Sequence, residues 1–242
     1  MIELLLLGIG FLVAFIGTMS GGGAGLITLL VLLSLGMPLN NAIATNRVGD
    51  LGFFFPALRN LIKAKQIKWK ALPPIVFINL LGATVGTFLV AWLDESGLRK
   101  LVIAILILLL VSSVLRKEYA LKERPARWYW PFVYFATSMS SGALGAGTGI
   151  LSTMSLMYFR GFNALQSMAH SFFANLFGWS LSITILLFTD LINYRYAIIL
   201  FVGNTIGAHF GSKIAIKKGN GFVRYMIMIL ALCVVLQLVF IS

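Results

Sequence analysis

Arg47 and Asp50 stand three residues apart inside an otherwise apolar stretch from Ala42 to Ile62. A charge at that depth is costly in lipid and marks a functional group by default, unless the two neutralise one another across a helical turn. On the functional reading, the Arg47 guanidinium attracts an anion and the Asp50 carboxyl orients it or takes part in proton coupling. His170 lies in a second apolar stretch, Ala164 to Phe188. Its imidazole titrates near neutral pH, so it suits a proton relay, or else it is held by hydrogen bonds between helices. Asn46, Ser171 and Asn175 accompany these groups, with Asn79 and Asn204 elsewhere in apolar segments. They serve as ligand contacts or interhelical bonds. Two glycine-rich segments add hydroxyls: Thr18, Ser20, Gly21, Gly22, Gly23 and Gly25 in the first; Ser140, Ser141, Gly145, Gly147, Thr148 and Gly149 in the second. Half-helices beginning at such breaks present unpaired N–H groups that suit a carboxylate or sulfonate, and glycine lets the backbone approach it.

Other chemistries fit less well. Ser20 with His170 or His209 would be a nucleophile and base. However, Thr18-Met19-Ser20-Gly21 lacks the glycine two before the serine that an intramembrane Gly-x-Ser-Gly would supply. With two histidines, one cysteine and no His-Glu-x-x-His run, no metal site is expected; no Walker motif is present, and no cofactor is predicted. Cys233 reads as a small packing residue in the last apolar run.

The elements that must hold these groups are hydrophobic. Of 242 residues, 60% are hydrophobic and 11% charged, and the mean hydropathy is +0.97, more apolar surface than a soluble core of this size hides. The fold class is therefore an all-α polytopic membrane protein. The net charge of +12 would suggest nucleic acid in a soluble domain. Here the basic residues sit between apolar runs, where they orient the chain in the bilayer, and no nucleic-acid partner is expected. The N-terminus reads as retained, since Glu3 replaces a basic leader region.

The apolar segments are Leu4 to Leu35, Ala42 to Ile62, Ala71 to Leu93 and Leu98 to Leu115; then Trp128 to Tyr158, Ala164 to Phe188, Ala197 to about Ala208 and Val223 to Ile241. Residues 116–127 form a polar, cytoplasmic linker between a first repeat, 1–115, and a second, 128–242, within one membrane domain. The first segment of each half is interrupted by glycines and too long for one crossing of about 20 residues, so each predicts two short helices meeting at a turn. Such a break in a bilayer is tolerated only against protein or a wet cavity.

The halves align. Gly21, Gly23 and Gly25 match Gly145, Gly147 and Gly149 at an offset of 124, and Ala44 and Asp50 match Ala169 and Asn175 at 125. Ile67-Lys68-Trp69-Lys70 matches Ile192-Asn193-Tyr194-Arg195, and Arg99 matches Arg224, while Gly82 to Gly86 is matched to Gly203 to Gly207 at 121. The four-residue spacing of these last glycines suits close helix packing. If each half crosses an odd number of times, the basic clusters at 59–70, 116–127 and 213–224, with Arg160, all lie in the cytoplasm and only Arg99, Lys100 and Arg195 outside. That is the better positive-inside solution and makes the repeat inverted, each half a glycine-broken helix or hairpin plus three spanning helices; eight single crossings is the alternative. Trp69 and Tyr194 fit the interfacial aromatic belt.

Taken in order, Thr18 to Gly25, Leu35-Gly36-Met37-Pro38, Ala44-Thr45-Asn46, the basic loop ending Ile67-Lys68-Trp69-Lys70, and a similar second half beginning Gly142 to Gly149 resemble the sulfite exporter TauE/SafE family of membrane transporters. The resemblance covers essentially the whole chain. It implies a secondary transporter of small anions such as sulfite or organosulfonates like sulfoacetate, in the cell (inner or plasma) membrane. The second half departs where Thr45-Asn46-Arg47 faces His170-Ser171-Phe172, which predicts an asymmetric site. The expected partners are the anion and the lipid bilayer; a homodimer is allowed and nothing in the sequence requires one. A passive anion channel or an intramembrane enzyme is the competing class, and duplicated broken helices favour alternating access.

Overall fold

The computed structural model describes residues 2–22, 24–89, 121, 123–144, 149–188 and 190–240. The expected segment from Leu98 to Leu115, with Arg99 and Lys100, and residues 116–120 and 122 of the linker lie outside the described residues. Among those described the chain is all-helical. Helix α1 spans Ile2–Met19, α2 Gly25–Ser34, α3 Leu39–Lys63, α4 Leu72–Leu89 after a 3-10 turn Trp69–Ala71, and α5 Trp130–Leu144. Helix α6, Gly149–Ser155, continues as a π turn Leu156–Arg160, followed by α7, Ala164–Leu186, and α8, Tyr194–Phe240, which is broken at Gly219.

Several elements end where the chain supplies a left-handed residue. Gly36 (φ 80°) closes α2, Lys65 (φ 56°) follows α3 and Gly161 (φ 85°) follows the π turn. After α2 and α3 a backbone bond five residues back, Met37 to Leu32 and Gln66 to Leu61, satisfies a carbonyl the helix leaves free.

Among the described residues three stretches are long and apolar enough to cross a membrane: Ile2–Met19, Trp69–Gly86 and Tyr194–Cys233. Helices α3 and α7 have 25 and 23 residues, which at about 1.5 Å per residue also reach across the hydrocarbon core. They are less apolar because they carry the polar residues buried between neighbours. The main pairings join the two halves of the chain: α1 and α3 lie along α8, α4 lies along α5 and α7, and α3 touches α7.

Glycines make those pairings close. A Cβ on Gly207 would lie 2.1 Å from the Phe11 carbonyl oxygen, and one on Gly82 would lie 2.8 Å from that of Phe135. Each is a point where backbones touch, as small-residue packing requires. Cys233 is exposed on α8 rather than packed inside, since among the described residues none covers its side chain. Trp69 and Tyr194 are both exposed.

The loops gather at two ends. At one, Glu3 pairs with Arg195, Asn41 donates to the Leu191 carbonyl and Pro38 lies near Asn193. At the other, Lys68 pairs with Glu123, Arg124 N–H donates to Gly161, and Leu165 N–H donates to Asn220. The α1–α2 hairpin therefore begins and finishes at the Glu3 end. The α5–α6 hairpin begins and finishes at the Glu123 end, where Arg127 N–H donates to Phe159 and the Arg160 guanidinium lies over Trp130. The basic residues Lys68, Arg124, Arg160 and Lys218 are thus gathered away from Arg195.

Candidate functional site

The two glycine breaks meet. Helix α1 stops at Met19 because Gly21 (φ 78°) and Gly22 (φ 100°) take left-handed conformations that turn the chain toward α2. The freed Gly21 carbonyl accepts a 2.9 Å hydrogen bond from the Thr153 hydroxyl of α6. Gly149, the first residue of α6, rests on Gly22: a Cβ there would lie 2.8 Å from the Gly22 oxygen. In lipid such a carbonyl needs an internal donor, and Thr153 supplies it. Thr153 escaped the sequence reading; its signal was a hydroxyl one helical turn past the second break.

A cavity of about 40 Å³ opens beside this contact, room for roughly three water centres at 10–15 Å³ each. Gly22, Ala24 and Gly25 line it from the first break and Gly149 from the second, so the starts of both α2 and α6 face it. Its polar side chains are Asp50, Asn175 and Asn204, and its aromatic wall is Phe53, Phe54, Phe172 and Trp179. Phe172 stacks edge-on against Phe53 at 4.8 Å, and Trp179 against Phe54 at 5.7 Å.

Two hydrogen-bonded triads of parallel construction flank the cavity. In one, the Asp50 carboxylate accepts from Asn46 at 3.2 Å and from Asn204 at 3.0 Å. In the other, Asn175 donates to Ser171 at 3.4 Å and accepts from Asn79 at 3.0 Å. Asn46 and Ser171, Asp50 and Asn175, Asn79 and Asn204 are each 125 residues apart. Gly82 and Gly207, also 125 apart, lie against the Phe135 and Phe11 carbonyls, while Gly203 lies against the Leu7 carbonyl one turn away.

Arg47 and Asp50 do not pair. The Arg47 guanidinium, 8% exposed, donates through Nη2 to the Gly142 carbonyl at 3.2 Å and lies 6.0 Å from the Trp179 ring centre. Its Nε is buried without a partner. It faces a smaller hollow of about 10 Å³ shared with Asn79, Ser141, Gly178 and Ser182. Asn175 and Trp179 line both spaces and form the wall between them.

The remaining candidates lie apart. Thr18 and Ser20 turn their hydroxyls back to the Ala14 and Ile16 carbonyls, at 2.8 and 2.7 Å, and Ser140 does the same to Thr137. His170 sits toward the Glu123 end, its Nδ1 2.8 Å from the Gln166 carbonyl and its Nε2 accepting the Lys68 N–H at 3.1 Å. Thr45, 125 residues earlier, accepts the Asn193 N–H in the same manner at 3.0 Å. Gly23, Gly145, Gly147 and Thr148 lie outside the described residues. Among the described residues no cluster of histidine, cysteine or carboxylates could hold a metal ion.

Comparison with known proteins finds membrane transporters. The chain is 25% identical over 240 residues to a probable membrane transporter protein of Haemophilus influenzae, covering 96% of this chain and 92% of that one. It is 26% identical to the probable membrane transporter protein YfcA of Escherichia coli K12, covering 96% and 88%. It is 24% identical to the probable membrane transporter protein ORF9 of a Sinorhizobium species, covering 94% and 88%. No solved structure matches it. Residues 6–238 match the sulfite exporter TauE/SafE family, and the chain belongs to that family of membrane transporters.

Proposed function

We propose that this membrane transporter carries small anions by alternating access around the cavity where its two glycine breaks meet. The observation that carries this reading is the seat of Gly149 on Gly22, locked by the Thr153 to Gly21 bond, beside Asp50, Asn175 and Asn204. Broken helices meeting near buried polar groups are the pattern of secondary-transporter sites. The anion class is sulfite or an organosulfonate such as sulfoacetate, following the family's description as sulfite exporters. The starts of α2 and α6 and the amides of Asn175 and Asn204 supply donors for such an oxyanion.

The hairpins finishing at opposite ends and the triads 125 residues apart support an inverted repeat, whose halves rock about the site. Basic residues gathered at the Glu123 end support that end as cytoplasmic in a multi-pass protein of the cell membrane. Polar groups held in two triads, rather than in a continuous row, favour a carrier over a passive channel. No part of the reading calls for nucleic acid, a cofactor or catalysis; a homodimer is compatible with it.

The test is flux of labelled sulfite and sulfoacetate in proteoliposomes, comparing wild type with Arg47→Ala and Gly149→Leu, each confirmed as folded and inserted. Saturable transport lost in both variants supports the site. Transport that survives both moves these residues to a structural role, and no flux of any anion overturns the function.

A further inference from the structure

Arg47 and Asp50 are both buried, of opposite formal charge and one turn apart on α3, yet their side chains go separate ways. Asp50 is held by two neutral amides, Asn46 and Asn204, and among the described residues no cation is bonded to it. Arg47 keeps a buried, unpartnered Nε against the small hollow, donates to a carbonyl and lies beside an indole ring. A buried ion without a counter-charge is expensive, and among the described residues neither has one.

We propose that Arg47 takes the transported anion and Asp50 takes a proton, and that the two cross together. The proposal rests on the anion-transporter reading above. It says which groups neutralise which charges. In the loaded carrier the anion neutralises Arg47 and the proton neutralises Asp50. The separated arrangement of the two side chains is that of the loaded carrier; once anion and proton have left, the side chains, three residues apart on one helix, turn from it to neutralise each other. A carrier holding the anion alone or the proton alone retains one bare buried charge, and it does not reorient. The coupling is one proton to one monovalent anion, in the same direction, and the cycle moves no net charge.

Asp50 is the one titratable side chain on the cavity among the described residues. Its neighbours across the space are Val13 and Ala14 of α1, Phe172, Asn175 and Trp179 of α7, and Asn204 of α8. The other charged or titratable groups on these helices are placed elsewhere. Glu3 of α1 pairs with Arg195 of α8 at one end, and His170 of α7 is engaged by Gln166 and Lys68 at the other. His209, beside Asn60, also stands off the cavity, as does Lys213, and α2 carries no charged residue. In the second triad Asn175 occupies the place that Asp50 holds in the first, so among the described residues a single protonation site serves the cavity.

The test uses the full chain in proteoliposomes with a trapped pH-sensitive dye, the membrane potential clamped by potassium and valinomycin. Methanesulfonate is the probe, being monovalent and ionised throughout the working pH range. We expect its entry to acidify the lumen by one proton per anion, at a rate independent of the clamped potential. Asp50→Asn should then lose net flux of methanesulfonate at least tenfold more than it loses exchange of internal for external methanesulfonate. A neutral residue there lets the loaded carrier cross but strands the empty one with Arg47 bare. Methanesulfonate carried without protons, or net flux retained in Asp50→Asn, overturns the coupling and leaves the transporter reading standing. Because the proton count is made on wild type, it decides the matter even where Asp50→Asn fails to fold. Absence of any anion flux in wild type overturns both.

Discussion

The Thr153 hydroxyl donates 2.9 Å to the Gly21 carbonyl, so a side chain of the second half closes the gap that the first half's glycine turn leaves in its own hydrogen bonding. Thr153 is fully buried and its hydroxyl also reaches the Gly149 carbonyl of its own helix at 3.2 Å. Thr153→Val keeps the shape and removes the donor, leaving a buried carbonyl unsatisfied at a cost of about 1–3 kcal/mol. Thermal unfolding in detergent is expected to show a clear drop in melting temperature for Thr153→Val and little change for Thr153→Ser. Equal stability of the valine variant and wild type would mean the contact holds nothing.

Arg47 is expected to trade stability for function. Its guanidinium is buried without a carboxylate partner among the described residues, so Arg47→Met exchanges a poorly compensated charge for an apolar chain of similar length. Stability should rise by on the order of 1 kcal/mol or more, while saturable anion transport falls to background. A methionine variant both less stable and still active would place Arg47 outside the site.

His170 holds the approach to α4 by accepting the Lys68 N–H, as Thr45 accepts the Asn193 N–H ahead of α8. Both ring nitrogens are occupied by backbone groups. His170→Thr is therefore expected to cost about 1 kcal/mol, the worth of an ordinary hydrogen bond, with the pH profile of transport unchanged. A profile that flattens near neutral pH in this variant would restore the proton-relay reading.

Glu123 joins the linker to both halves, accepting from Lys68 before α4 and from Gln166 of α7. The Lys68 hydrogen bond, and then that from Gln166, hold its carboxyl below the usual glutamate value of 4.5. A carboxylate lowered on folding adds stability that is fully present above the unfolded value and is lost as pH falls through the folded one. The clamp is accordingly expected to hold at neutral pH and to loosen on acidification below about pH 4.5. Being largely exposed, it should also weaken in high salt. Glu123→Gln should abolish this acid-range dependence of stability; a wild-type curve that already lacks it would remove the clamp.

Much of the fold was legible because membrane helices announce themselves locally. The spans from Ala42 to Ile62 and from Ala164 to Phe188 correspond to α3 (Leu39–Lys63) and α7 (Ala164–Leu186), since an apolar run in lipid must satisfy its own backbone and the helix does so within the segment. The glycine break between α1 and α2 was visible for the same reason: Gly21 and Gly22 are the residues that can take positive φ there. That Arg47 and Asp50 are buried was legible from their place inside an apolar run.

What the sequence by itself determined was most of the described helices, the family, and which charged residues lie within apolar runs. Tertiary structure alone decided how those residues face one another. Glycines every fourth residue look alike when shifted by a turn, and only the fold shows which backbone each one meets: a Cβ on Gly203 would lie 2.5 Å from the Leu7 oxygen and one on Gly207 2.1 Å from that of Phe11. A spacing of three equally permits Arg47 and Asp50 to pair or to part, and the neighbours Gly142 and Asn204, far away in the chain, draw them apart. Helix formation is settled within a few residues by hydrogen bonds along one segment, whereas the site is settled by packing between segments more than a hundred residues apart, which no local pattern encodes.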